Sequence, residues 1–139
     1  MKIKICGITN ANDAAQAVAS GADALGFILY RKSPRFVEPA TVRELVAGLP
    51  PFVLSVGVFV NESAEVVRKL MDQCGLSLAQ LHGDETAAYC EQLGRPALKA
   101  LRLKDRGSFL ALAEFQGRTK DDLIMWLNNV RISAQREAK

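Results

Sequence analysis

Three residues of this 139-residue chain combine a reactive type with a suggestive place: Cys6, Arg35 and His82. Cys6 stands in KICGITN, where an apolar run gives way to a glycine and a candidate helix cap. A thiol reacts as its thiolate, a form favoured by cationic neighbours or a helix N-terminus. Taken alone, Cys6 reads more readily as a small, inert, buried apolar side chain. Arg35 belongs to the loop RKSPRF, and its planar guanidinium suits bidentate binding of a carboxylate. The plainer alternative is a solvated loop arginine beside Arg31 and Lys32. His82, the sole histidine, begins HGDE; it can line a pocket or donate a hydrogen bond, or simply be satisfied by backbone partners.

What must position these residues is a repeating unit of β-rich run, turn and amphipathic helix. The runs cover 3–8, 24–30, 52–60, 76–81 and 97–103. Asn10 is placed to cap the first helix, with Asp13 in its first turn and Gly21 closing it. Pro39 suits the first turn of the second, which Pro50-Pro51 stops. Ser63 caps the third and Gly75 ends it; Asp84 caps the fourth, which stops at Gly94; Asp105 caps a fifth, ended by Gly117. Cys74 and Cys90 fall on helical stripes and read as core, and Gln80 as a pocket-edge amide. Near-continuous apolar strands signal a parallel sheet covered on both faces, either open and doubly wound or part of a barrel. In both, function gathers at the C-terminal ends of the strands, where Cys6, Arg35 and His82 all lie.

Composition narrows the classes. An apolar fraction of 49% predicts a folded domain, and a net charge of +3 without a run of like charges gives no reason to expect nucleic acid or a membrane surface. No stretch has the length of a membrane span and the N-terminus lacks a signal-peptide layout, so a soluble cytoplasmic protein is expected. The three cysteines are odd in number and widely spaced, forming neither a disulfide framework nor a metal-type pair. No glycine-rich phosphate loop of the dinucleotide or nucleoside triphosphate kind follows any strand.

The segments KICGIT, GADALGFILYRKSPRFV, PPFVLSVGVFVN and LAQLHGDE, in this order and spacing, resemble phosphoribosylanthranilate isomerase of tryptophan biosynthesis over about residues 1–117. The resemblance implies an α/β fold: a partial eightfold TIM-type βα barrel with about five βα units plus a C-terminal helix. The alternative is rearrangement into an open flavodoxin-like parallel sheet. It also implies an Amadori rearrangement of N-(5-phosphoribosyl)anthranilate to 1-(2-carboxyphenylamino)-1-deoxyribulose 5-phosphate, with no cofactor and no metal. An acid opens the furanose ring to an imine; a base then removes the proton at C2 to give an enolamine. By resemblance Cys6 is that base and Arg35 binds the anthranilate carboxylate; His82, from its place at a strand's C-terminal end, is the further candidate for substrate binding.

The family's acid is an aspartate ending strand six, expected near residues 121–126. The chain there reads DDLIMWLNNV: Asp121 and Asp122 precede the apolar residues, and the following Asn128 cannot donate a proton as an acid. Loops of a seventh and eighth strand, which in the family hold the phosphate, do not occur. Leu123, Trp126, Leu127 and Val130 instead form a helical stripe. The expectation is a barrel domain over 1–117 carrying a divergent helical tail over 118–139. Such a tail fits an internal deletion, a change of reading frame or a partial barrel. Activity is expected to be impaired; the alternative is an inactive partial-barrel fragment. In either case open sheet edges invite a homodimer or higher oligomer. A binding module for another phosphorylated small molecule is the weakest reading.

Overall fold

The computed structural model describes residues 1–102 and Phe115. Among the described residues four helices and five strands alternate. They are β1 (Lys4–Cys6), α1 (Ala11–Ala19), β2 (Ala24–Ile28), α2 (Pro39–Ala47), β3 (Leu54–Phe59), α3 (Ala64–Cys74), β4 (Leu78–Leu81), α4 (Ala87–Leu93) and β5 (Ala97–Lys99). The expected fifth helix and the 118–139 tail lie outside the described residues.

The helix starts follow local chemistry. Asn10 accepts from the backbone N–H of Asp13 at 2.9 Å and donates from its own amide to the Asp13 carboxylate at 2.7 Å, fixing the first turn of α1. Pro39 sits in the first turn of α2, and Ser63 accepts from the Val66 N–H to cap α3. Gly75 and Gly94 take the left-handed conformation that ends α3 and α4. The cap of α4 is Thr86, whose hydroxyl accepts from the Tyr89 N–H at 3.1 Å, and not Asp84 as the sequence suggested. Asp84 stays exposed, held by Asn61: its N–H donates to the Asn61 amide oxygen at 2.7 Å.

All strand pairs are parallel and the sheet order is β1-β2-β3-β4-β5. Each strand therefore lies beside its sequence neighbours, as consecutive strands of a βα barrel do. A flavodoxin-like sheet would place β2 at an edge with β1 inside. The order excludes that alternative. Buried residues of all four helices, Ala14, Val42, Val67 and Leu93 among them, join Leu25, Phe27, Phe59, Ala79 and Leu81 of the strands in one core. The helices thus share one face of the sheet, rather than covering both. Fully burying a side chain such as Leu25 or Phe27 contributes about 1.5–3 kcal/mol.

The opposite face carries Cys6, Gly26, Val56 and Leu78 in one row and Ile28, Val58, Gln80 and Leu98 in the next. Register partners in a parallel sheet point the same way, so this face presents both apolar bulk and the chemistry of Cys6 and Gln80. Cys74 and Cys90 belong to the helix-side core, as their stripes predict.

Candidate functional site

Cys6 ends β1, and the chain turns sharply after it. Gly7 has φ +89°, a left-handed backbone that favours glycine. Both Gly7 and Ile8 donate their N–H groups to the Gly26 carbonyl, at 2.9 and 3.1 Å, which ties the turn to β2. With no side chain on Gly7, Arg35 lies directly against it: a Cβ there would stand 2.9 Å from Arg35 Cδ and 3.0 Å from Cζ. The Arg35 Nη1 donates to the Cys6 carbonyl at 3.1 Å. Two residues 29 positions apart in sequence are thereby tied together, and Arg35 as a whole stays exposed. Arg31 and Lys32 remain loop cations; Arg31 is exposed, pairs with Glu38 at 3.4 Å and stacks on Phe36.

A cavity of about 340 Å³ opens over this end of the sheet and takes in Cys6, Arg35, Gln80 and His82. The three residues singled out from the sequence thus meet at one place, and Gln80 is the pocket amide it was read as. His82 is half-buried; its backbone N–H continues the sheet by donating to the Phe59 carbonyl at 2.9 Å. Burial pushes the imidazole below its ordinary pKa of 6.5, and the charges of Arg102 and Lys99 add to the effect. At neutral pH it is an uncharged ring.

Sequence reasoning missed two lysines of this cavity, Lys4 and Lys99. Lys99 ends β5 and is 2% exposed, paired with an equally buried Glu85 at 2.7 Å. Glu85 also accepts from the backbone N–H of Asn61 at 2.8 Å and of Gly83 at 2.9 Å, and Lys99 donates to the Gly83 carbonyl. The loop after β4, which carries His82, is thereby fastened to the ends of β3 and β5. A lysine in a short strand reads as a solvated residue, and no local spacing links it to a glutamate in another unit. A second cavity of about 520 Å³ adjoins the first through His82 and Lys99 and reaches Tyr30, Asn61, Asp84 and Arg102.

Among the described residues no three His, Cys, Asp or Glu side chains converge as a metal site would. No helix among them is long and apolar enough to cross a membrane. The cavity therefore offers a thiol, a guanidinium, a neutral imidazole and the ammonium of Lys4, while the Lys99 ammonium is held by Glu85. These are the means to bind an anionic molecule and to move a proton within it.

The family model described as N-(5'-phosphoribosyl)anthranilate (PRA) isomerase matches residues 3–125. An N-(5'-phosphoribosyl)anthranilate isomerase of Citrifermentans bemidjiense is 48% identical over 115 residues, which cover 83% of this chain and 56% of that protein. The chain thus spans little more than half the length of the curated relatives it matches. The crystal structure of phosphoribosyl anthranilate isomerase from Thermotoga maritima superposes with TM-score 0.82 at 35% identity, covering 90% of this chain and 60% of that one. A solved phosphoribosyl anthranilate isomerase in complex with reduced 1-(o-carboxyphenylamino)-1-deoxyribulose 5-phosphate gives the same TM-score and identity, covering 90% and 64%.

Proposed function

This chain belongs to the N-(5'-phosphoribosyl)anthranilate isomerase family, and from that premise we propose that it carries the base and the carboxylate-binding half of the family's site. The reaction is the Amadori rearrangement of N-(5-phosphoribosyl)anthranilate in tryptophan biosynthesis, in a cytoplasmic setting. The observation that carries this reading is the bond between Arg35 Nη1 and the Cys6 backbone carbonyl, which holds the guanidinium against the residue that bears the thiol, on one cavity rim.

On this reading Arg35 holds the anthranilate carboxylate through its free nitrogens and so sets the ribose moiety over Cys6. The Cys6 thiolate accepts the proton from C2 of the open-chain imine. The C–H electron pair moves into the enolamine, which tautomerises to the ketone. Neutral His82 lines the pocket and offers an uncharged hydrogen bond to a sugar hydroxyl. No carboxyl group lines this cavity among the described residues, so they supply the base and not a carboxylic acid for ring opening. Ile5 of the edge strand β1 and Ile3 just before it are exposed, and on this reading self-association through the sheet edges covers them.

The test is turnover of N-(5-phosphoribosyl)anthranilate by the purified chain, followed by loss of substrate fluorescence. Cys6→Ala is expected to lower it by about a hundred- to ten-thousand-fold, the usual contribution of a general base. Turnover unchanged by Cys6→Ala refutes the base assignment. Calorimetric binding of the reduced product analogue tests Arg35 separately: Arg35→Ala weakens binding if the guanidinium meets the carboxylate. Absence of turnover in the parent chain, with binding retained, would leave it an inert binding fragment.

A further inference from the structure

We infer that Lys4 is a positioning residue for the Cys6 thiolate, its ammonium standing beside the sulfur across the space left by Gly26. The inference rests on the reading of Cys6 as a base and adds to it the group that holds the base's charge. Lys4 and Cys6 are two apart in β1, so their side chains leave the same face of the sheet. Gly26 is the register partner of Cys6 on β2. A Cβ on Gly26 would stand 2.9 Å from Cys6 Sγ and 2.9 Å from Lys4 Nζ. The sulfur and the ammonium are therefore separated by no more than twice that distance, about 5.8 Å. The Lys4 stem climbs from its own row to the row of Cys6, and only a residue without a side chain at position 26 leaves it that path.

The charges nearby single out this pair. Arg35 keeps its charge, but its Nη1 is directed to the Cys6 backbone carbonyl and its remaining nitrogens are those assigned to the substrate carboxylate, and Lys99 is neutralised by Glu85. Of the remaining groups on the cavity, His82 is uncharged at neutral pH. Arg102 stands over the adjoining cavity at the far end of the sheet, past β5. Lys4 is half-buried and has no ion-pair partner among the described residues. A half-buried ammonium without a counter-ion is costly, and the Cys6 thiol across the Gly26 gap is a group able to become an anion. A cation at this range favours thiolate over thiol. During the rearrangement Lys4 keeps its protons: the sulfur receives the C2 proton, and the ammonium loses an anionic neighbour until the thiolate is regenerated.

The experiment is alkylation of the native chain by iodoacetamide, a neutral reagent, near pH 7, with Cys6 followed by mass spectrometry. Cys74 and Cys90 are buried, and burial pushes the Cys74 thiol up, so Cys6 is the thiol that reacts first. Lys4→Met is expected to slow Cys6 alkylation about threefold or more, because the thiolate fraction sets the rate. Lys4→Arg is expected to restore most of it, and raising salt to about 1 M to narrow the gap by screening. A Lys4→Met chain with native circular dichroism and an unchanged rate overturns the inference, as does Lys4→Arg reacting as slowly as Lys4→Met. If Lys4→Met does not fold, the unmutated chain decides: a rate that does not fall with salt overturns the inference. The outcome separates from that of the base reading. Lys4-sensitive alkylation with full turnover in Cys6→Ala would leave the pair and remove the base. The reverse pattern would keep the base without its lysine.

Discussion

Replacing Lys99 by methionine should be among the most destabilising single changes at the rim of this sheet. The Lys99 and Glu85 side chains are each 2% exposed and 2.7 Å apart, so the change leaves a carboxylate almost wholly shielded from water. Removing one partner of a buried ion pair costs about 3–5 kcal/mol. Here Glu85 keeps two backbone donors, Asn61 and Gly83, which places Lys99→Met at the lower end, about 3 kcal/mol. Against a total of about 5–15 kcal/mol for a single domain, that is a large fraction. Glu85→Gln leaves the opposite charge uncompensated and should cost a similar amount. The double variant Glu85→Gln/Lys99→Met buries no net charge, and its loss should fall short of the sum of the singles by about 2 kcal/mol. Urea unfolding followed by circular dichroism measures all three. Strict additivity, or a Lys99→Met cost below about 1 kcal/mol, would refute the argument that this pair is shielded from water and interdependent.

His82 contributes to the acid response near neutral pH. Its folded pKa lies below 6.5, so in the window between the two values the unfolded chain binds more protons. Stability is therefore full above 6.5 and is lost as pH falls through the depressed folded value. As the chain's only histidine, it gives one imidazole NMR signal whose midpoint should lie below 6.5, and His82→Gln should flatten the stability profile across that window. A midpoint at or above 6.5 contradicts the burial argument. Gly83→Ala should destabilise by about 1–3 kcal/mol through overpacking, since the added Cβ would overlap the Asn61 carboxamide and stand 2.8 Å from the Asn61 backbone nitrogen. Calorimetry giving an unchanged melting temperature would show that the loop gives way instead.

Much of the scaffold was legible because its signals are local. Asn10, Ser63, Gly75 and Gly94 mark helix ends where side-chain or backbone chemistry acts within a few residues. The runs of valine and phenylalanine found the strands but overshot them. The run through 3–8 yields only Lys4–Cys6, because Gly7 leaves extended geometry and sends its N–H to Gly26. Asp84 and Thr86 are both competent caps two residues apart, and Glu85 decides between them by anchoring the loop to Asn61 and Lys99. Strand order was open in the sequence, since apolar periodicity says which residues are buried and not which strand lies alongside. Cys6 and Arg35 were found through motifs in register. Lys4 and Lys99 were not, because their significance depends on Gly26 and Glu85, partners supplied by other units.

The sequential strand order also shapes how the chain reaches this state. No described strand must await a distant partner: the widest gap in register, Ala24 to Leu54, is 30 residues. At about 5–20 residues per second, a chain leaving the ribosome supplies each next strand within seconds. Short separations keep loop-closure entropy small and folding fast. Each described βα unit can dock on the one already made, so this part of the sheet can grow in the direction of synthesis, and the strand that bears Cys6 is in place before the strands that complete its cavity.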